Sequence, residues 1–464
     1  MLLAGSGLIS ACSAMAPVRV ATESPSQWQY SAPQAEAKWP GAQWYRDFGS
    51  DELDALIDAA STANQDLAAA ETRVRQADAR SRAAGASLLP TVTAIANFAS
   101  VAGRSQGASW HENDYGAVLS ASYEANFWGG GRAARSAALD AAAASRADQA
   151  TLALTVAAAV ADQYFQVLAL RERLAAARST LEAEHRMLGA VQARYEAGAA
   201  TAVELDLQQA AVAHQQLLIP ELVEREIEHR AALAVLIGRL PEDFRVTGLP
   251  LAALHEPQFA PGLPAQLLTR RPDLMSAEAM LQAAHANVAV ARAAMLPSLS
   301  LAATGGMQNP GFQAVYLTVP GTGLSIAPAA SLVQTIFDGG RLKAVHAEAE
   351  AHEEELLAGY RAAILNAYAD VETALAAIQN QDLQQQAQSD NVEHSEQALA
   401  AALLRYREGA GEFLSVLEAQ RTLNSARDQY TQYQLARLQA RIGLCKALGG
   451  GWQNLASDKP AANP

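Results

Sequence analysis

The chain has 464 residues, half of them apolar, and a formal net charge of −14. That acidity argues against a nucleic-acid partner, because phosphates repel such a surface. Two cysteines are too few for a disulfide framework, and beyond the N-terminus no run of about 18 apolar residues marks a membrane-crossing helix, although a β-strand crosses with only about 9–11 alternating residues.

Taken in order, Leu2 to Ala11 is a short apolar run ending in small residues before Cys12. It looks like a bacterial lipoprotein signal over 1–12, with Cys12 the lipidated residue and Ser13, not Asp, behind it, which favours sorting to the outer membrane. No Lys or Arg precedes the run, so the true start is expected upstream of Met1. Residues 13–50 read as an extended N-terminal segment, within which Pro17 to Pro40 carries Pro and Ser and reads as non-regular and on the surface. A helix opens near Asp51 and runs to about Leu88, with a solvated face of Glu71, Arg73, Arg75, Asp78, Arg80 and Arg82. Pro90 stops it. Thr91 to Val101 then alternates as a strand, Gly103 to Asp114 makes a polar tip, and Tyr115 to Trp128 returns, ending in aromatics as membrane strands do. Gly129-Gly130-Gly131 gives the flexible joint into a long helical tract.

The tract runs to Arg194-Tyr195-Glu196-Ala197-Gly198, and a second helix, containing Pro220 and expected to kink there, returns to Leu236-Ile237-Gly238. The cassette then recurs: Leu296-Pro297, strands over 298–304 and 323–337 around a tip at 305–322, Phe337-Asp338-Gly339-Gly340-Arg341, Arg405-Tyr406-Arg407-Glu408-Gly409 and Ala447-Leu448-Gly449. Matching landmarks lie 207 to 211 residues apart, the mark of an internal duplication. The repeats are 51–240 and 271–450, joined by a Pro-rich connection at 241–270 and followed by a polar tail at 451–464. The expected fold class is mainly α with β, a duplicated β-hairpin and α-hairpin.

Each outgoing helix keeps a seven-residue ladder. In the first it is Val160, Val167, Leu174, Leu181, Leu188 and Tyr195; in the second, Ile364, Val371, Ile378, Gln385, Val392, Leu399 and Tyr406. That period marks left-handed coiled-coil packing. The companion positions Leu170, Ala177 and Val191 fit, but Glu184 does not. A helix from Gly131 to Gly198 would be roughly 100 Å long, and one folding back at Gly198 is an α-hairpin.

No catalytic, cofactor or metal site stands out. Glu182…His185 and Glu226…His229 resemble di-iron ligands, but they would lie roughly 24 Å apart along the hairpin. His346, Glu350 and Glu353 share a helical face that reads as solvated, and Cys445 reads as a small buried residue.

The duplicated landmarks, with Leu263-Pro264 to Leu267-Leu268-Thr269-Arg270-Arg271-Pro272-Asp273, resemble the TolC family of outer membrane efflux proteins, and within it the lipoprotein outer-membrane subunits of tripartite pumps. The resemblance covers nearly everything after Trp44 and implies a homotrimer in the outer membrane. Three sets of four strands would form a twelve-stranded β-barrel, continued by a twelve-helix periplasmic α-barrel. It implies a passive exit duct, not an enzyme, that meets a periplasmic adaptor and an RND-type inner-membrane pump, needs no cofactor, and is held by lipid at Cys12. The adaptor-docking tips would be Arg194, Gly198, Thr201, Arg405, Gly409 and Glu412. The periplasmic gate would comprise Glu204, Tyr406, Ser415 and Glu418. Ser415 stands where the family has one of two acidic rings, and Gly411 where a latch carries Arg. Tyr406 has two open roles: bonding Glu204 as a latch, or closing the heptad ladder. The competing class is a coiled-coil tether, which has no need of duplicated aromatic-ended hairpins.

Overall fold

The computed structural model describes residues 24–30, 38–105, 107–308, 317–318 and 324–452; Cys12, much of the 13–50 segment, most of the 305–322 tip and the tail from 453 lie outside them. The helices are α1 (Asp51–Ala63), α2 (Gln65–Ala86), α3 (Gly130–Glu196), α4 (Ala202–Leu236), α5 (Pro272–Ala293), α6 (Arg341–Arg407) and α7 (Phe413–Ala447). The strands are β1 (Thr91–Ser105), β2 (Ala108–Ala125), β3 (Ser298–Gln308), β4 (Leu317–Thr318) and β5 (Leu324–Val333). The duplication is nearly exact in length: α3 and α6 each have 67 residues, α4 and α7 each 35. Two compact units result, one containing Thr72–Arg146 and Ser276–Ala362, the other Glu23–Glu71, Ala147–Met275 and the chain from Ala363.

The first unit holds the sheet, antiparallel throughout, in the order β1-β2-β3-β5-β4. The β2–β3 pairing joins the two hairpins. β1 and β2 run past the expected polar tip and pair as far as Ser105 with Ala108, turning at Gly107 with φ +87°. Polar residues at 103–114 suggested a loop; in a sheet solvated on one side they are ordinary strand residues.

The register divides the sheet into two chemistries, because directly paired residues share a face. Val92 faces Ala121, Ala94 faces Leu119, Tyr123 faces Leu301, Leu299 faces Leu332 and Gly305 faces Ile326. On the opposite face Thr91 meets Ser122, Thr93 meets Ser120, Ser120 meets Thr304 and Ser300 meets Ser331, interrupted by Ile95, Val118 and Val333. The apolar face is uncovered: Phe98 is 72% exposed, Leu332 70% and Leu119 60%. A soluble sheet would bury that face against a second layer.

The strand-to-helix joints use different devices. Gly129 takes φ +81°, and the Asn126 side-chain oxygen accepts from Gly131 N at 3.0 Å. In the second repeat Asp338 accepts from Leu342 N at 2.9 Å and Gly340 N at 3.0 Å. The Leu342 bond first, then that from Gly340, holds its carboxyl below the ordinary range.

The second unit carries the largest core. Phe48, Leu53 and Ile57 pack on Val160, Tyr164 and Phe165 of α3, Leu233 of α4 and Leu438, Ile442 and Cys445 of α7. Cys445 is fully buried, which raises its thiol pKa. By length and composition α3 does pass for a membrane-crossing helix, with an 18-residue window of mean hydropathy 1.4, half of it buried. Its contribution from Val156 to Leu168 belongs to this core.

Two sequence expectations change here. The first helix breaks at Asn64, whose side chain accepts from Asp66 N and Leu67 N and donates to Leu236 O at 2.9 Å, capping α2 while tying it to α4. The described part of 17–40 is not simply on the surface: Trp28 is 5% exposed, donates to Gly262 O at 2.8 Å and stacks edge-on to Tyr368. Beyond it, Trp44 and Phe48 are buried. The 241–270 connection is packed, with Phe244, Val246, Leu251 and Leu254 in the core. Glu52 clamps its start, accepting from Thr247 N, Thr247 Oγ1 and Gly248 N at 2.6–2.8 Å. Burial alone would raise that carboxyl pKa; these bonds outweigh it and lower it. α4 continues helically through Pro220.

Candidate functional site at the helix turns

The two hairpin turns are built alike. In the first, Gly198 takes φ +69°, its N–H donates to Tyr195 O at 2.9 Å, and Ala199 N donates to Arg194 O at 2.7 Å. In the second, Gly409 takes φ +71°, with Gly409 N to Tyr406 O at 3.1 Å and Ala410 N to Arg405 O at 2.8 Å. Both are Schellman closures needing a left-handed residue, and glycine adopts that conformation without a Cβ penalty. Arg194 and Arg405 each donate to the carbonyl five residues on, Ala199 at 3.3 Å and Ala410 at 3.4 Å.

The returning helices start differently. Thr201 and Glu204 form a capping box: Glu204 N donates to Thr201 Oγ1 at 3.3 Å and Thr201 N to the Glu204 carboxylate at 3.2 Å. Glu412 and Ser415 hold the same places in the second repeat, and Glu412 makes no side-chain cap. The second turn is therefore held by fewer local bonds.

A shared apolar cluster draws the turns together. Val191 of α3 meets Tyr406 of α6 and Phe413, Val416 and Leu417 of α7, with Leu205 of α4 at its margin. The Tyr406 and Phe413 rings lie 5.3 Å apart, and the Arg194 guanidinium sits 4.5 Å over the Tyr406 ring. Tyr406 is 9% exposed, whereas its counterpart Tyr195 is 43% exposed. The Tyr406 hydroxyl is buried without a hydrogen-bond partner among the described residues. Burial raises its pKa, Arg194 opposes that, and Glu204 adds to it. Glu204 is thus within electrostatic reach of Tyr406, but within one chain its bond is to Thr201. Farther along, Arg173 of α3 grips Asp428 of α7 through two bonds of 2.6 and 3.1 Å.

Of the residues singled out from sequence, Gly198, Thr201, Arg405, Gly409 and Glu412 are exposed at the turns, as are Ser415 and Glu418 one turn apart on α7. Arg194 is turned inward over Tyr406. Sequence reasoning missed Phe413; the available signal was an aromatic where the first repeat has Ala202. It also misjudged Glu184, which is 5% exposed and continues the buried Leu170, Ala177, Val191 series. Gln208 Nε2 donates to its carboxylate at 2.6 Å and its carbonyl at 3.0 Å. In the ladder ending at Tyr195, Leu174, Leu181 and Leu188 are only partly buried and Tyr195 is exposed. The di-iron look-alikes have other partners: Glu226 accepts from Arg171 and Arg230, and His229 bonds Gln163 at 2.8 Å. Glu353 pairs with His285 on α5, while His346 pairs with Glu350.

An antiparallel sheet with one bare apolar face and one small polar face, together with two very long α-hairpins, defines a subunit of a β-stranded membrane duct with a helical extension. The chain belongs to the outer membrane efflux protein family, whose profile matches residues 56–239 and 263–450. It is 42% identical over 456 residues to the pyoverdine export outer membrane protein OpmQ of Pseudomonas putida, covering 96% of this chain and 95% of that one. The OpmQ of Pseudomonas aeruginosa is 42% identical over 457 residues, with 96% and 95% covered. Among solved structures, the outer-membrane channel OprN superposes with a TM-score of 0.87 at 25% identity, over 96% of this chain and all of that one. The protein is an outer-membrane channel component of an efflux system. Its family is one of ducts rather than enzymes, and the tether reading falls away.

Proposed function

We propose that three copies close one duct, that lipid on Cys12 anchors each, and that the helix turns serve as both gate and adaptor dock. The two-faced sheet carries this reading. Its apolar face fits lipid, its polar face fits water, and β1 offers an outer edge unpaired among the described residues, which demands a partner strand. The length of β5 left free beyond the two-residue β4 of a neighbouring copy would supply it, so that β1, β2, β3 and β5 of three copies give twelve strands around one pore. The exposed turn residues Gly198, Thr201, Arg405, Gly409 and Glu412 would meet the adaptor, with an RND-type pump behind it. Arg194 would act from within, by fixing Tyr406. Glu418 would form a carboxylate ring at the gate, with Ser415 a neutral ring beside it and Glu204 rigid in its capping box. The cargo we favour is a secreted siderophore of the pyoverdine kind, the compound in the OpmQ relatives' names.

The test is the mass and palmitate incorporation of protein extracted from outer membranes. The expected result is a species of three chains, each beginning at Cys12 and so lacking residues 1–11 of the 48.8 kDa sequence, with radiolabelled palmitate incorporated in the wild type and absent from Cys12→Ser. A monomer, or equal palmitate in the variant, would remove the corresponding part of the proposal.

A further inference from the structure

In the second unit, the seam between α3 and α4 is closed at Leu170, Ala177 and Leu222. Beside that cluster it opens into a groove of about 450 Å³. Leu174 and Ile227 give it an apolar lining, and Ile227 is 48% exposed. Its polar lining is unbalanced: Arg171, Arg178 and Arg230 stand against one carboxylate, Glu226. That is a local excess of two positive charges in a chain whose net charge is −14.

Two of the guanidinium groups are held in place. Glu226 accepts from Arg171 Nε at 3.1 Å and from Arg230 Nε at 3.3 Å. Each arginine also gives its Nη1 to the connection between the repeats, Arg171 to Val246 O and Arg230 to Phe244 O at 3.0 Å. These bonds leave Nη2 of both without a partner among the described residues. Arg178 is exposed and pairs with nothing there. The bonding orients donors in advance, which lowers the ordering cost of binding. A guanidinium fork matches carboxylate and phosphate oxygens, and the apolar lining suits a short hydrocarbon chain.

We propose that this α3–α4 groove is a binding site for a small amphiphilic anion, a single carboxylate or phosphate on a short alkyl body. The headgroup sits among Arg171, Arg178 and Arg230, and the chain lies on Leu174 and Ile227. Neither the trimer nor the gate enters this argument.

The test uses the full-length protein in nanodiscs of zwitterionic lipid and isothermal titration calorimetry. The probes are hexanoate and hexyl phosphate, with hexanol, acetate and inorganic phosphate as controls lacking the charge or the chain. Saturable binding of both amphiphiles is expected, at least about tenfold tighter than any control, a gap of about 1.4 kcal/mol. Arg178→Glu should weaken it about tenfold or more, and Arg178→Lys should restore part of it, since the charge returns without the fork. Oligomer mass is measured for each variant. Binding by lipid headgroups instead would appear as loss of hexanoate affinity when anionic lipid replaces the zwitterionic lipid, which supports the site and identifies its source. No saturable binding by the wild type, or equal binding by Arg178→Glu, overturns the proposal. So does dissociation of the assembly by Arg178→Glu, because the groove would then be filled by another copy of the chain.

Discussion

Replacing Tyr406 by Phe or by Ala separates the two roles open to this residue. The ring and the hydroxyl do different things. The ring stacks at 5.3 Å on Phe413 and lies under Arg194 at 4.5 Å; the hydroxyl is buried and unbonded among the described residues. A buried unsatisfied polar group costs about 1–3 kcal/mol, so Tyr406→Phe should leave the turn region unchanged or stabilise it by about 1 kcal/mol. Tyr406→Ala loses the aromatic pair, worth about 0.5–1.5 kcal/mol, and the cation–π contact, about 0.5–2 kcal/mol. With the cavity included, about 3–5 kcal/mol is the usual total for an aromatic truncated in a core. The assay is amide hydrogen exchange over 399–417 in the assembled protein, with single-channel conductance on the same samples. Tyr406→Ala should speed exchange and raise conductance, while Tyr406→Phe should match the wild type or exchange more slowly. If Tyr406→Phe behaves like Tyr406→Ala, the hydroxyl is bonded to something outside its own chain, and the core reading fails.

Other expectations follow from the same structure. The Glu184 carboxyl is raised by burial, partly offset by Gln208 and Arg421. A raised folded-state value favours the protonated form, so this stabilising term is complete below the ordinary glutamate value of about 4.3 and is lost as pH rises through the folded value. Glu184→Gln should therefore melt higher than wild type at neutral and alkaline pH and equal to it in acid; a difference independent of pH would contradict this. Leu119→Arg puts a charge on the apolar face and should cost about 2–4 kcal/mol near the bilayer centre, abolishing membrane insertion. Ser120→Arg, on the other face, should insert normally and alter conductance. Equal outcomes for the two would refute the assignment of faces. Glu418→Ala should weaken block of the channel by divalent cations, because a ring of carboxylates around a narrow axis attracts them; unchanged block removes Glu418 from the gate.

Legibility in the sequence tracked how local the determining physics is. The long helices and their turns could be placed because Leu-Pro, Gly198 and Gly409 act within a few residues. Strand length could not: Gly103 to Asp114 is polar, and polarity in a sheet solvated on one side looks like a loop. The two faces became plain only with the register, since pairing Val92 with Ala121 and Leu299 with Leu332 is long-range information. The same holds for Trp28 and Trp44, whose burial depends on segments far along the chain, and for Asn64, which turns a continuous helical pattern into two helices by capping one and binding Leu236 of α4. Heptad reasoning has no place for the Glu184 carboxylate in a seam, yet Gln208 satisfies it there.

This chain builds a water-filled path through the outer membrane. Conductance of the purified, lipidated protein in a planar bilayer tests it most directly. Such a path requires discrete unitary steps that grow with salt concentration, from a species whose mass is a multiple of one chain. Protein that inserts into the bilayer, with its apolar sheet face protected from water-soluble labels, and still conducts no ions under any condition that loosens the turns would contradict it.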